Sequence, residues 1–164
     1  LALPYLPETM PHSAITAIDS LLGVSDFALE ERLFALLLAV MERTTGTLLV
    51  QTRHPAHQTL ASAASGDIRG FQERELAVRR SFSFPPFAAL ITIARFGPRV
   101  VVTKDMARLA GKLAAYHPTL LPAQKGARRG TALVLQIPTA KWPDQDLLAI
   151  LRGLTPQWEI SVRT

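Results

Sequence analysis

The sequence has no cysteine, few aromatic side chains and no long apolar run. Without cysteine among its 164 residues, the chain can form neither a disulfide nor a thiolate metal site within them. The longest apolar run, Leu33 to Met41, has nine residues, whereas a membrane-spanning helix needs about 18. Because cysteine and long apolar runs are both missing, we expect a cytoplasmic protein that does not contact a membrane. The phosphate-binding motif Gly-x-x-x-x-Gly-Lys-Ser/Thr is also missing.

The size and start of the chain suggest a folded fragment. A length of 164 residues is enough for one domain or two small ones, and 48% hydrophobic residues indicate a packed core. The sequence begins at Leu1, without methionine and inside an apolar stretch that contains two prolines. We expect a piece cut from a longer protein, and we find no signal peptide in it.

Charge is unevenly distributed along the chain. Residues 1–94 carry seven lysine and arginine residues against nine acidic ones, a net charge of −2. Residues 95–164 carry eleven against four, a net charge of +7. A basic second half suggests contact with a polyanion such as nucleic acid, although a solubilising surface would have the same composition.

Hydrophobic periodicity predicts alternating strands and helices in the first half. Strands are expected at 13–18 and 47–52, and helices at 27–43, 58–64 and 68–80. Ser25 and Asp26 are predicted to cap the first of these helices and Asp67 the third, and Gly66 is predicted to end the second. The prolines at 85 and 86 interrupt the pattern, and we place a domain boundary there.

The second half predicts a small sheet with helices on one face. Strands are expected at 88–96, 131–137 and 158–162, and helices at 104–116 and 145–152, capped by Thr103 and Asp144. Residues 120–130 are interpreted as a basic loop. This order suggests a split βαβ sheet.

Several motifs in the middle of the chain resemble one family. Gln51-Thr52 is followed by His54-Pro55, then by Phe71, Glu75-Leu76 and Arg79, and then by Pro85-Pro86-Phe87. Upstream, the run from Asp19 to Val40 has the spacing D-x-x-L-x-x-x-D-F-x-x-x-E-R-x-F-x-L-L-x-x-V. Together these residues resemble the bacterial replication-restart family PriA, also called primosomal protein N′, from about Pro11 onward. Beyond Phe87 the likeness is one of element order.

The resemblance implies both a fold and a function. It implies α/β and α+β structure: residues 1–86 as the remnant of a RecA-like second helicase lobe with a helical linker, and residues 87–164 as a split βαβ C-terminal domain. The implied function is recognition of stalled forks and reloading of the replicative helicase, in the nucleoid. Implied partners are single-stranded and forked DNA, single-stranded DNA-binding protein and helicase-loading proteins.

The sequence departs from the family where ATP chemistry is expected. Helicases of this type carry a Gly-Arg-x-Gly-Arg run whose arginines stabilise the transferred phosphate. Here the corresponding stretch is Met41-Glu42-Arg43-Thr44-Thr45-Gly46, with Arg43 as its single arginine. The Gly-Thr-rich approach to motif V is replaced by residues 4–11, which contain three prolines. We therefore predict no helicase or ATPase activity, no catalytic residues and no cofactor in these residues. A zinc site is expected, if anywhere, in an N-terminal part outside this sequence.

Nine residues are candidates for DNA contact because phosphate contacts dominate affinity for DNA. They are Lys125, Arg128, Arg129, Lys141, Trp142, Lys104, Arg108, Arg95 and Arg99. Lys104 and Arg108 form one helical stripe with Lys112. Each of these residues could instead face solvent, and Trp142 could pack at the rim of the core.

Other interpretations remain open at this point. The C-terminal domain could be an interaction scaffold that binds single-stranded DNA-binding protein rather than DNA. An active helicase with arginines supplied from elsewhere is a third possibility. His54 and His57 are three residues apart, but Pro55 separates them and no carboxylate is placed to join them, so we predict no metal site there.

Overall fold

The computed structural model describes residues 6–22 and 27–164. The chain divides into two compact units, Leu1–Val78 and Arg79–Thr164, and the division falls within a helix that runs from Ile68 to Ser81. Helices and strands are mixed in the described residues, which confirms the expected combination of α and β structure. The assignment of residues 1–86 and 87–164 to domains of a particular type stays a prediction.

The first unit is built around two parallel strands. Its elements are β1 (Met10–Ile15), α1 (Ile18–Leu22), α2 (Leu29–Arg43), β2 (Thr44–Val50), α3 (Gln58–Ser65) and α4 (Ile68–Ser81). β1 pairs in parallel with β2, so that Ala14 lies opposite Leu49 and Ile15 opposite Val50. The helices α1 and α2 form the crossover that a parallel pair requires.

The strand predicted at 13–18 is wrong at both ends. Pairing with β2 selects 10–15 instead, and Ile18 begins a short helix in which its side chain is completely buried. The apolar run after Ser13 fits a strand or a buried helix equally well, and only its packing distinguishes them. The predicted cap at Ser25 and Asp26 lies outside the described residues.

The core of the first unit comes from one face of each helix. Its buried side chains are those of Ile18, Leu33, Phe34, Leu37, Ala63 and Phe71. The predicted end of α3 is confirmed, since Gly66 adopts a left-handed conformation with φ of 69°, which favours glycine. The predicted capping role of Asp67 is confirmed as well, because its Oδ1 accepts a hydrogen bond from the backbone N–H of Gly70 at 2.9 Å.

The second unit contains a four-stranded antiparallel sheet. Its elements are β3 (Ala88–Phe96), α5 (Arg99–Lys112), β4 (Thr119–Lys125), β5 (Arg128–Pro138), α6 (Gln145–Arg152) and β6 (Trp158–Arg163). The strand order is β4-β5-β3-β6. β5 therefore lies between β3 and β4, which α5 connects, and this is the split βαβ arrangement.

Both helices of this unit cover the same face of the sheet. Alternate residues of β3 and β5 point to one side, and those with odd numbers, such as Ile91, Ile93, Leu133 and Leu135, are completely buried. They form one cluster with residues of α5 and α6. The even-numbered residues lie on the opposite face, which we call the open face. Among the described residues, no helix combines the length and hydrophobicity needed to cross a membrane.

The basic loop predicted at 120–130 is wrong, because these residues form a β-hairpin. Lys125 pairs with Arg128 at its end, which leaves only Gly126 and Ala127 in the turn. Gly126 has a φ of 59°, a conformation that two-residue hairpin turns require and glycine adopts easily. The sequence Lys-Gly-Ala-Arg between two runs of apolar and β-branched residues was the available signal.

The helix predicted at 104–116 begins five residues earlier and is not capped by Thr103. α5 starts at Arg99, directly after Gly97-Pro98, and ends at Lys112. The backbone N–H of Val102 donates to the carbonyl of Pro98 at 3.0 Å. Val102 is also buried against the sheet, and this packing outweighs the weak helix propensity of the three consecutive valines.

Candidate nucleic-acid interface

Two of the predicted cations meet an acidic residue over the open face. Lys125 ends β4, Arg128 begins β5, and Glu159 lies on β6 at the other edge of the sheet. Lys125 Nζ donates to Glu159 Oε2 at 2.6 Å, and Arg128 Nη2 donates to Glu159 Oε1 at 2.5 Å. One carboxylate thus holds two cations, and the three side chains carry a net charge of +1.

Arg128 reaches across the sheet because it lies on an aromatic ring. Its guanidinium carbon is 4.8 Å from the centroid of the Phe96 ring, within the range of a cation–π interaction. Gly130 lies opposite Phe96 on β5, and a Cβ at this position would collide with the Arg95 carbonyl oxygen and lie 2.9 Å from Phe96 Cδ1. The missing side chain at Gly130 therefore makes room for the ring that supports Arg128.

The electrostatics of this cluster favour an ionised carboxylate. The hydrogen bond from Lys125, followed by that from Arg128, lowers the pKa of Glu159 below its usual range. The side chains of Lys125 and Arg128 are 64% and 57% exposed. Both cations are thus accessible to a second anion, while Glu159 neutralises part of their positive charge.

Arg129 lies on the other side of the hairpin from Arg128, because successive side chains of a strand alternate. It lines a cleft of about 550 Å³ together with Arg99 at the start of α5. The same cleft contains Leu120 and Leu121, and each of these leucines is 48% exposed. The structure thus distributes the predicted loop cations over two surfaces.

Arg95 is held by bonds within the unit. Its Nε donates to Asp105 Oδ2 at 3.3 Å, its Nη2 to Gln157 Oε1 at 2.8 Å and its Nη1 to the Phe96 carbonyl at 3.0 Å. Only 16% of its side chain is exposed. This arginine joins β3, α5 and the segment before β6, a structural role that sequence reasoning did not foresee.

The cations of α5 lie along a groove on the helical side of the unit. Lys104, Arg108 and Lys112 are all exposed, as their spacing of four residues predicts. Arg108 and Lys112 line a groove of about 460 Å³ that also contains Trp158 and Gly153. This surface is separate from the Lys125–Arg128 pair.

Lys141 and Trp142 follow the end of β5. Lys141 is exposed in a short 3₁₀ helix, Thr139–Lys141. Trp142 is partly buried and packs against the core of the unit, which leaves only part of its ring for stacking. α6 begins three residues after Trp142, and the predicted cap is confirmed: Asp144 Oδ1 accepts from the backbone N–H of Leu147 at 2.8 Å.

The histidines of the first unit do not converge on a metal-like set of ligands. His57 Nε2 lies 3.6 Å from Glu30 Oε1, and the hydroxyl of Thr59 donates to the other oxygen of Glu30. Within residues 6–22 and 27–164, no group of three or more histidine or acidic side chains is arranged to hold a metal ion.

Sequence reasoning missed Phe96 and Glu159, which complete the cationic cluster. Glu159 is 31 residues beyond Arg128 in the chain and lies two strands away from it. The sequence offers one indication that Glu159 is unusual: it is the only acidic residue after Asp146. Phe96 ends a predicted strand, and nothing in its neighbours indicates that an arginine covers it.

Comparison with known proteins shows that the chain is similar to members of one family. No protein-family model matches the chain. Three of the similar proteins carry the name Replication restart protein PriA. The chain is 39% identical to the one from Treponema pallidum over 116 residues. It is 31% identical to that of Bacillus subtilis over 87 residues and 31% identical to that of Synechocystis over 88 residues.

These similarities confirm the resemblance to the PriA family. The matches cover 67%, 49% and 51% of this chain, respectively. The chain spans only a small part of the relatives, namely 16% of the Treponema protein and 11% of each of the other two.

Proposed function

We propose that this chain is part of a replication-restart protein and that its second unit binds DNA. The observation that carries the proposal is the convergence of Lys125 and Arg128 on the open face. The surrounding unit, residues 79–164, has thirteen lysine and arginine residues and four acidic ones, a net charge of +9. Such a surplus attracts phosphate, which supplies the sequence-independent part of DNA affinity.

We propose that the first unit is the remnant of a RecA-like second helicase lobe. The parallel pairing of β1 with β2 and the helical crossover between them support this origin. The stretch from Met41 to Gly46 has one arginine, Arg43, where such helicases have a run of Gly-Arg steps. Since such arginines contribute several orders of magnitude to phosphoryl transfer, the proposed role is binding without unwinding.

The proposal extends to the whole protein through the family resemblance. It would recognise stalled forks, bind single-stranded DNA-binding protein and help to reload the replicative helicase in the nucleoid. Nucleotide turnover by the full-length protein tests the part that concerns unwinding. A rate close to that of the uncatalysed reaction is expected, and ATP hydrolysis stimulated by forked DNA would overturn it.

Fluorescence anisotropy of labelled single-stranded and forked DNA tests DNA binding. We expect binding that weakens steeply as salt rises, because condensed counterions are released. The double variant Lys125→Ala/Arg128→Ala should lose affinity about tenfold and reduce the salt slope by about 1.4, the value for two phosphate contacts to a single strand. The double variant Arg69→Ala/Arg152→Ala removes the same charge elsewhere and should change affinity much less. Equal losses in the two variants would show that only net charge matters.

A protein scaffold is the second candidate function, and the cleft beside β4 favours it. The exposed side chain of Leu120 lies with Arg99 and Arg129 in this cleft, a combination that suits a peptide with both apolar and acidic residues. Single-stranded DNA-binding protein is the expected partner. Binding of its acidic tail by the wild type, lost in Arg99→Ala/Arg129→Ala, supports this role. The absence of such binding would exclude it.

A further inference from the structure

Glu159 occupies the position on the Lys125–Arg128 pair that a phosphate group would take. Each of its oxygens accepts a bond from one cation, at 2.6 Å and 2.5 Å. A carboxylate and a phosphate both offer two oxygens to such a pair of donors. The two cations therefore already hold an anion of their own chain in the free protein.

The structure allows this internal anion to be exchanged. The cluster lies at the end of the hairpin rather than in the core, and the Glu159 side chain is 37% exposed. Glu159 shares the open face with Ala94 and Ala132, its neighbours across β3 and β5. Neither alanine side chain can form a hydrogen bond, so these two neighbours do not hold Glu159 in place.

We propose that Glu159 is an internal competitor of nucleic acid at this site: it holds Lys125 and Arg128 in place and is displaced when phosphates of the DNA backbone bind to them. The inference rests on the proposed function of the second unit and adds a regulatory residue to it. Glu159 lowers affinity for every DNA, so stable binding requires further contacts that compensate for its displacement. DNA that offers few further contacts therefore stays unbound.

The cation–π contact with Phe96 holds the Arg128 side chain in place while one anion replaces the other. Arg128 rests on Phe96 whichever anion it binds, because the ring contacts the flat face of the guanidinium and leaves its N–H edge available. No aromatic ring of the described residues supports Lys125 in this way. Glu159 is therefore the fixed partner that positions Lys125 until phosphate replaces it.

The test compares Glu159→Gln with Asp146→Asn by anisotropy on single-stranded oligothymidylate. Both substitutions remove one negative charge from the same unit, but Asp146 lies in the first turn of α6 and has no bond to either cation among those described. Glu159→Gln should bind about three- to tenfold tighter at low salt, because the two cations no longer have to release an internal carboxylate before they bind phosphate. Asp146→Asn should shift affinity less than about twofold.

A double-mutant cycle shows whether the gain passes through the two cations. In the background Lys125→Ala/Arg128→Ala, Glu159→Gln should raise DNA affinity no more than Asp146→Asn does. The reason is that the effects of substitutions at interacting residues are not additive. Circular dichroism and thermal melting of each variant verify that it is folded. A gain that persists without the cations would overturn the inference.

Failure of the inference differs from failure of the proposed function. If the wild type binds DNA and Glu159→Gln binds no tighter than Asp146→Asn, Glu159 is not a competitor and DNA binding stands. If neither the wild type nor Glu159→Gln binds at low salt, the proposed function itself is overturned. If Glu159→Gln binds and the wild type does not, Glu159 blocks the site instead of exchanging with phosphate, and both the exchange and DNA binding by the wild type are overturned.

Discussion

The rings of Phe34 on α2 and Phe71 on α4 stack almost parallel, with centroids 4.0 Å apart and planes inclined by 7°. Both side chains are buried, at 5% and 6% exposure. The stack joins α2 to α4 within the core of this unit. The stability of the first unit should therefore depend strongly on it.

We expect Phe71→Ala to lower the free energy of unfolding of the first unit by about 3–5 kcal/mol, the range for removal of a buried phenylalanine. Leu76→Ala in the same helix is the matched control, because Leu76 is 46% exposed and leaves no cavity. Urea unfolding followed by far-ultraviolet circular dichroism measures both. Similar losses in the two variants would contradict a core role for the stack.

Gly130 should not tolerate a side chain. Gly130→Ala places a Cβ against the Arg95 carbonyl and the Phe96 ring, and the resulting overpacking should cost about 1–3 kcal/mol. Gly111→Ala is a suitable control, since no atom lies within 4 Å of the added Cβ. In the helix α5 this second substitution should stabilise by up to about 0.5–1 kcal/mol. Thermal unfolding of the two variants should shift in opposite directions, and a neutral Gly130→Ala would disprove the close approach.

Asp144 should matter more than Tyr116 for the start of α6. Asp144 Oδ1 accepts from the backbone N–H of Leu147, and also from Tyr116 Oη–H at 3.0 Å. The bond from Leu147 and then that from Tyr116 lower the pKa of Asp144. Asp144→Ala removes both bonds and Tyr116→Phe only one, so melting temperature should fall further in the first variant. Equal shifts would mean that the helix cap contributes nothing.

Acid should weaken the turn after β2 through Asp19. The hydrogen bond from Thr52 and that from the backbone N–H of Arg53 lower the pKa of Asp19 from 3.8 to about 2. Because the folded state lowers this pKa, the carboxylate stabilises the protein above the unfolded-state value. This contribution is lost as pH falls from about 4 through about 2.

The variant Asp19→Asn isolates this effect. Urea unfolding of the wild type and the variant should give a constant stability difference at pH above about 5 and a shrinking one below about 4. A carboxyl titration followed by nuclear magnetic resonance should place the midpoint for Asp19 near 2. A midpoint at the ordinary value would show that the bonds to Thr52 and Arg53 are not formed in solution.

Local chemistry made much of the fold predictable. β3 has the bounds expected from its run of apolar and β-branched residues, and Gly66, Asp67 and Asp144 end or begin helices as predicted. Each of these features depends on a residue's own backbone preference or on a hydrogen bond within three residues. The sequence alone also determined the charge surplus of the second half and the resemblance to the PriA family.

Tertiary structure decided which of the predicted cations act together. Residues 120–130 become a hairpin because β4 pairs with β5, and the two-residue period of β5 then sends Arg128 and Arg129 to opposite sides. Glu159 meets Lys125 and Arg128 only because the strand order places β6 beside β3. Pairing and register between distant strands are set by the packing of the whole sheet, and no local pattern around residue 128 or 159 contains that information.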